Sequence, residues 1–261
     1  MLSDPSSLAQ AAKQFTAEPV VAITTQAPSD TEVALPGGFI NREGALVKYA
    51  EVRELNGADE EAIARSGSTG RALNTMLQRG LVSLGMESTS KEDLDTLLSG
   101  DRDAILIGVR KATFGKNIEF SGSCPTCSAE QSIILDLDND IPVKTLEDPV
   151  EDRLWEYQSK LGTVIVGLPT GLTQRRLLEN SDKNSAELNT ILLSGCIASI
   201  NGSPSIGATS VLKLSWKDRD VLVQQILERN PGPRLGEVKK ACEACGEDIL
   251  MPLTLAALFR V

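Results

Sequence analysis

The sequence contains no histidine, the side chain that most often acts as a general acid or base near neutral pH and most often binds metal ions. Neither a Ser–His–Asp triad nor a Cys–His pair can therefore form. Aromatic residues make up only 3% of the chain, so leucine, isoleucine, valine and alanine must fill its core. A hydrolase built on this chain would have to use carboxylates, lysine or cysteine alone, and we expect a binding or assembly protein and not an enzyme.

Long apolar runs are also absent. No stretch of about 18 apolar residues occurs, so we expect no transmembrane helix and no membrane partner. The first 15 residues lack a basic region followed by an apolar block, which predicts no secretory signal and a chain made in a cytoplasm. The net charge is −10, and a surface of that sign repels phosphate backbones, so we expect no nucleic-acid partner.

Four of the five cysteines form two Cys-x-x-Cys pairs, Cys124 with Cys127 and Cys242 with Cys245. In a cytoplasmic chain such pairs indicate metal ligands or redox pairs before they indicate structural disulfides. A set of four thiolates favours zinc or an iron–sulfur cluster over magnesium, calcium or manganese, and it leaves no open position for a catalytic zinc. We therefore predict one structural Zn²⁺ bound by these four cysteines. Cys196 lies on an apolar helical stripe and is predicted to be a core residue.

Other interpretations of the two pairs remain open. A thioredoxin-like redox pair would need a cysteine at a helix N-terminus after a strand, whereas both pairs precede alternating, strand-like runs. A disulfide within each turn would be strained and would need an oxidising compartment, and a site that binds no metal is a further alternative. The 114 residues between Cys127 and Cys242 also exceed the usual spacing of a zinc ribbon.

The second half of the chain repeats landmarks of the first. Thr31–Gly37 is a strand pattern that is predicted to end in a Pro-Gly turn, and Thr163–Gly171 has the same shape. Asp101-Arg-Asp103 and Asp218-Arg-Asp220 each begin a predicted helix, where aspartate favours the cap and the first turn. The first cysteine pair follows Asp101 by 23 residues, and the second pair follows Asp218 by 24.

This repetition predicts an α+β fold of two duplicated half-domains, related by a pseudo-twofold axis and joined by the shared ion. Each half-domain would contain helices and a zinc-ribbon-like β-hairpin. The predicted divisions are an extended N-terminal arm over 1–30, a first half-domain over 31–147 with the first cysteine pair, and a second over 148–261 with the second pair. Apolar periodicity and capping residues predict helices over 69–84, 101–114, 170–180, 184–200 and 216–229.

Several motifs in this order resemble the T4-type baseplate hub assembly chaperone family. The motifs are Glu32–Gly38, Glu51–Glu61, Asp101-Arg-Asp103, both cysteine pairs and Pro231–Val238. This family occurs in contractile-tailed phages and in phage-like contractile injection systems, and the resemblance covers residues 31–260. It implies a non-enzymatic protein of the contractile tail baseplate, either incorporated near the hub or acting during its assembly.

The resemblance further implies other phage tail and baseplate proteins as partners in a multi-subunit assembly. The location would be the virion tail or, during assembly, the host cytoplasm. The alternative function is a zinc-ribbon accessory protein that binds nucleic acid. The Lys239-Lys240 pair beside Cys242 favours this alternative, whereas the net charge of −10 opposes it.

Overall fold

The computed structural model describes residues 31–205, 207–251 and 253–259, and the predicted arm over 1–30 lies outside them. The described chain is a mixed α+β fold, as predicted. The strands are β1 (Glu32–Ile40), β2 (Leu46–Val52), β3 (Leu81–Leu84), β4 (Glu87–Ser88), β5 (Asn117–Ser123), β6 (Glu130–Asp136), β7 (Val143–Lys144), β8 (Leu154–Ser159), β9 (Gly162–Gly167), β10 (Ile197–Ile200), β11 (Ser203–Pro204), β12 (Gly232–Pro233), β13 (Lys239–Ala241) and β14 (Asp248–Leu250).

The helices are α1 (Gly57–Ala64), α2 (Thr69–Gly80), α3 (Lys91–Thr96), α4 (Ser99–Phe114), α5 (Gly171–Glu179), α6 (Ser185–Cys196), α7 (Gly207–Val211), α8 (Trp216–Arg229) and α9 (Leu255–Phe259). Short 3₁₀ turns lie at Glu151–Arg153 and Leu235–Glu237. None of the helices in the described ranges is both long enough and apolar enough to cross a membrane.

Two four-stranded antiparallel sheets have the same strand order along the chain. One sheet is ordered β1-β2-β3-β4 and the other β8-β9-β10-β11. In each, two helices connect the second strand to the third, and two more follow the fourth strand. The spacing is also the same, because α6, β10 and β11 each begin 116 residues after α2, β3 and β4 (69 to 185, 81 to 197, 87 to 203).

Two sequence expectations about element boundaries are wrong. The helices predicted over 69–84 and 184–200 end at Gly80 and Cys196, because the next four residues of each pair with a neighbouring strand. The Pro36-Gly37 dipeptide does not end its strand, since β1 continues to Ile40 with a register shift between Ala34 and Phe39. By sheet order β1 is matched with β8, not with the strand before Pro169.

Three hydrophobic cores hold the described residues together. One lies between the first sheet and α2 and α4, around Leu77 and Ile105, and another lies under the second sheet around Val166 and Leu222. Cys196 belongs to the second of these, which confirms its predicted core position. The third core, which we call the hairpin core, lies beneath the β5–β6 and β13–β14 hairpins and contains Leu135 and Val238. It therefore combines segments from both halves of the chain.

The first turn of α4 lies at the junction of the two halves. Asp101 is the third residue of α4 and is fully buried, and its Oδ1 accepts a hydrogen bond from the Gly37 backbone N–H at 2.7 Å. Its other carboxylate oxygen has no hydrogen-bond partner among the described residues. Burial raises the pKa of Asp101 to about 7, although the Gly37 N–H and the nearby Arg153 oppose this shift. The predicted first-turn position of Asp101 is confirmed, but its carboxylate binds a strand of the first sheet.

The raised pKa of Asp101 predicts that stability falls as the pH rises. In the unfolded chain the carboxyl group loses its proton near pH 3.9, whereas in the folded chain it keeps the proton to about pH 7. Folding therefore favours the protonated form between these values, at about 1.4 kcal/mol per unit of pKa difference. Urea unfolding of the parent and of Asp101→Asn at about pH 4.5 and about pH 7.5 measures this contribution. From about pH 4.5 to about pH 7.5, we expect the free energy of unfolding to fall more in the parent than in Asp101→Asn. Equal losses in the two proteins would contradict the prediction.

Candidate metal centre

Each Cys-x-x-Cys pair lies in the turn of a β-hairpin. Cys124 and Cys127 connect β5 to β6, and Cys242 and Cys245 connect β13 to β14. The two turns have the same backbone hydrogen bonds: Ser128 N–H to Cys124 C=O (2.9 Å), Cys124 N–H to Ala129 C=O (3.0 Å), Gly246 N–H to Cys242 C=O (2.8 Å) and Cys242 N–H to Glu247 C=O (2.8 Å). Neither pair begins a helix, so the geometry lacks the feature that a thioredoxin-like redox pair needs.

The four sulfur atoms form one compact cluster. Their Sγ atoms all lie within 4.8 Å of one another, close enough to hold one metal ion. Cys124 Sγ lies 3.8 Å from Cys245 Sγ, and Cys127 Sγ lies 3.7 Å from Cys242 Sγ. Zinc–sulfur bonds of about 2.3 Å in a tetrahedron would place the sulfurs about 3.8 Å apart. Both short separations join one hairpin to the other, so the 114 intervening residues are no obstacle to a common site.

The environment of the inner two cysteines favours their thiolate forms. Cys124 and Cys242 are 2% and 3% exposed and belong to the hairpin core, whereas Cys127 and Cys245 are exposed. The backbone N–H of Cys127, and then that of Thr126, lowers the pKa of Cys124. The backbone N–H of Cys245 has the largest effect on Cys242 and lowers its pKa to about 6. Metal ions bind the thiolate, so the lowered pKa values of these two cysteines assist binding. Although the Glu247 backbone N–H lowers the pKa of Cys245, desolvation and the neighbouring thiols outweigh it and raise this pKa to about 12, so binding would release its proton.

Contacts around the cluster were not predicted from the sequence. Gln131 Oε1 accepts a hydrogen bond of 3.1 Å from the Glu243 backbone N–H and so connects the two hairpins. Lys240 forms an ion pair of 2.6 Å with Asp140, so one of the two lysines beside Cys242 is already paired within the chain. Both contacts join residues about 100 positions apart in sequence, and no local motif indicates them.

The residue after the second cysteine of each turn has a left-handed backbone conformation. Its φ is +60° at Ser128 and +76° at Gly246. This conformation costs a residue with a Cβ roughly 1–2 kcal/mol and costs glycine little. We expect Ser128→Gly to raise the free energy of unfolding by up to about 1 kcal/mol and Gly246→Ser to lower it by a similar amount, as measured by urea denaturation. Changes of the same sign in the two variants would contradict this account of the turns.

The observations define an α+β protein in which two similar sheet-and-helix units meet at a shared hairpin core with a four-cysteine candidate metal centre. A family model described as T4 bacteriophage base plate protein matches residues 72–259, from α2 to α9. The chain belongs to this family, in agreement with the resemblance found in its sequence. No curated protein and no solved structure matches the chain.

Proposed function

We propose that this chain is a non-enzymatic structural or assembly protein of the hub region of a contractile tail baseplate. The observation that carries the proposal is membership of the baseplate family over most of the chain. The absence of histidine supports it, because histidine is the side chain that most often acts as a general acid or base near neutral pH. Such a protein works by binding other baseplate subunits, and its own stability comes from packing and from the candidate metal centre.

We further propose that the ion is a structural zinc bound by Cys124, Cys127, Cys242 and Cys245. The separations of the four sulfurs support a tetrahedral site, and four protein ligands leave no position for a substrate. The ion would hold the β5–β6 and β13–β14 hairpins together at the hairpin core. An iron–sulfur cluster uses the same ligands, but it would give the protein a visible absorption that zinc lacks.

We infer an internal duplication with half-domains over 31–147 and 148–261. It is supported by the common strand order of the two sheets and by the constant spacing of 116 residues between their helices and strands (69 to 185, 81 to 197). Asp101 and Asp218 are each the third residue of a helix, α4 and α8. The two hairpins then close the pair of half-domains through one ion.

Two measurements test this function. Elemental analysis of the purified chain is expected to give about one zinc per chain. Quantitative mass spectrometry of purified tail particles and of assembly intermediates is expected to detect the chain with baseplate subunits in at least one of them. Absence from both fractions would contradict the baseplate role, while a metal-free, fully folded chain would contradict only the zinc site. The alternative of nucleic-acid binding is less well supported, since one of the two lysines beside Cys242, Lys240, is paired with Asp140.

A further inference from the structure

A groove on the first half of the molecule holds a helix from the second half. The groove lies between α2 and the joint of α3 and α4, and α5 occupies it. At the start of α5, Gly171 N–H donates to the Leu97 carbonyl at 2.7 Å, and the Ser99 N–H donates to the Pro169 carbonyl at 2.9 Å. A Cβ at Gly171 would lie 2.1 Å from the Leu94 carbonyl oxygen, so the helix fits closely against the groove.

One face of α5 provides the specific contacts in this groove. Gln174 accepts a 2.8 Å hydrogen bond from Arg102 Nε and donates a 2.6 Å hydrogen bond to Asp103. Further along the same face, Arg175 forms an ion pair of 3.0 Å with Asp95. Leu178 then covers Gly70, where a Cβ would lie 2.7 Å from the Leu178 Cβ. Three of these positions, 171, 174 and 178, follow helical spacing, and 175 lies beside them.

The second half has the same groove at the corresponding positions. Corresponding positions are 116 residues apart between α2 and α6, and 117 apart between the α3–α4 and α7–α8 segments (69 to 185, 101 to 218). By this spacing the counterparts of Gly70, Asp95, Leu97, Ser99, Arg102 and Asp103 are Ala186, Leu212, Leu214, Trp216, Arg219 and Asp220. All six counterparts line one groove of about 530 Å³.

No helix occupies this second groove within the described part of the chain. Trp216 is 88% exposed and Leu212 is 64% exposed, a large apolar surface for two adjoining side chains. Arg219 hydrogen-bonds to Ala186 and Thr190 through Nη2, but its Nη1 is buried and has no partner among the described residues. By contrast, Nε, Nη1 and Nη2 of the corresponding Arg102 all donate hydrogen bonds.

We propose that this second groove, the Leu212–Trp216 groove, binds one α-helix of a different protein subunit. The occupied groove indicates the chemistry of that helix. Its first residue is small, and a glutamine or asparagine one turn later accepts from Arg219 and donates to Asp220. The next residue is apolar, because Leu212 stands where Asp95 pairs with Arg175 in the first groove. The residue four positions after the glutamine or asparagine is glycine, because Ala186 has a Cβ at the place of Gly70. Trp216, in the place of Ser99, extends the apolar surface and supplies the kind of anchor that dominates protein interfaces.

A second copy of this chain is a poor occupant. The helix of the first half that corresponds to α5 is α1, since Asn56 and Thr170 are their N-cap residues. The face of α1 that corresponds to the contact face of α5 contains Gly57, Glu60, Glu61 and Ala64, all exposed. In the groove, Glu60 would lie beside the Asp220 carboxylate and Glu61 beside the apolar Leu212. The inference goes beyond the proposed function, because it rests on the two grooves and not on the baseplate assignment.

The test uses a helical peptide and the full chain. The probe is a fluorescein-labelled peptide of residues 169–180 with Arg175→Leu and Leu178→Gly, stapled between positions 172 and 176, outside the contact face. Every peptide in the test has Leu178→Gly, because Ala186 has a Cβ at the position where Gly70 of the first groove contacts Leu178. Fluorescence anisotropy is expected to give a Kd roughly tenfold or more below that of the peptide with the native Arg175, since a leucine side chain is buried against Leu212. A peptide that also has Gln174→Ala is expected to bind about tenfold more weakly, because Arg219 and Asp220 lose their partner.

Substitutions in the groove provide the decisive comparison. The double variant L212D/W216S gives the second groove the residues of the first at these two positions, while Ala186 stays in place of Gly70. Both replaced side chains are exposed, so the fold is expected to be retained. It should prefer the native Arg175 peptide over the leucine peptide. Met86→Ser, which alters an exposed apolar residue in the turn between β3 and β4, is the matched control and should bind as the parent does.

Three results would overturn the proposal. The first is that neither peptide binds the parent chain at millimolar concentration. The second is that L212D/W216S keeps the peptide preference of the parent. The third comes from sedimentation velocity of the chain alone: self-association that rises with concentration and is lost in L212D/W216S would identify a second copy as the occupant. A monomeric parent with the expected peptide preferences supports a helix from another subunit.

Discussion

Replacement of Cys124 or Cys242 by serine is expected to lower the melting temperature of the whole chain by about 10 °C or more. Metal binding by four thiolates contributes on the order of 10 kcal/mol to the folding of small zinc peptides, and loss of one ligand removes a large part of that. In a chain of this size, each kcal/mol corresponds to about 2–4 °C. Because the two hairpins share one core, both are expected to loosen together. Calorimetry and zinc analysis of the same samples measure both effects.

Cys196→Ala is the matched control for these variants. Cys196 is buried in the core of the second sheet, away from the sulfur cluster, and burial raises the pKa of its thiol to about 12. Its replacement is expected to leave the zinc content unchanged and to cost only the small cavity of a lost sulfur atom. If the serine variants at Cys124 and Cys242 melt at the same temperature as the parent, a shared metal does not hold the two halves together.

Gly171→Ala is expected to destabilise the chain by about 2–4 kcal/mol. An added methyl group would lie 2.1 Å from the Leu94 carbonyl oxygen and 2.7 Å from Arg102 Nη1, so α5 would have to move away from its groove. That movement would also lengthen the hydrogen bond between Gly171 N–H and the Leu97 carbonyl. Urea denaturation measures the loss in the free energy of unfolding.

Gly57→Ala tests the same change at the corresponding position of the other half. Gly57 is the first residue of α1, as Gly171 is of α5, but no atom lies within 4 Å of where its Cβ would be. Alanine is a better helix former than glycine, so the variant is expected to be neutral or up to about 1 kcal/mol more stable. Equal losses in the two glycine variants would mean that the packing of α5 against the first half does not explain the effect.

Local signals in the sequence were sufficient for several elements. The helix predicted over 216–229 has these bounds in the structure, because Ser215 caps its first turn and Pro231 follows its end. The cysteine cluster was also predicted, since Cys-x-x-Cys spacing and the later strand patterns are local features. In the helix and within each cysteine turn, neighbouring residues determine the geometry, whereas the meeting of the two turns was predicted from the landmarks that the second half repeats.

Features that depend on distant partners were not predicted. The helix that begins at Thr69 stops at Gly80 because Leu81–Leu84 pairs with β2, and the sequence alone favours a longer helix. From the sequence, Arg102 is only the middle residue of an Asp-Arg-Asp helix start. In the structure it binds Asn74, Leu94 and Gln174 across three helices, and these contacts define the groove for α5. No periodicity or motif identifies such partners.

The hairpin core can form only after both halves of the described chain have been synthesised, because it combines segments from each. Half of the sulfur cluster comes from residues 242–245, and Leu255 and Phe259 of α9 pack against the core of the first sheet. When the ribosome has synthesised only the first half of the chain, that half lacks the two cysteines that complete the sulfur cluster and the second-half residues of the hairpin core. Chains that end before residue 242 would lack two of the four cysteines and the part of the hairpin core that surrounds β13 and β14, and we expect limited proteolysis to cut them faster than the full chain.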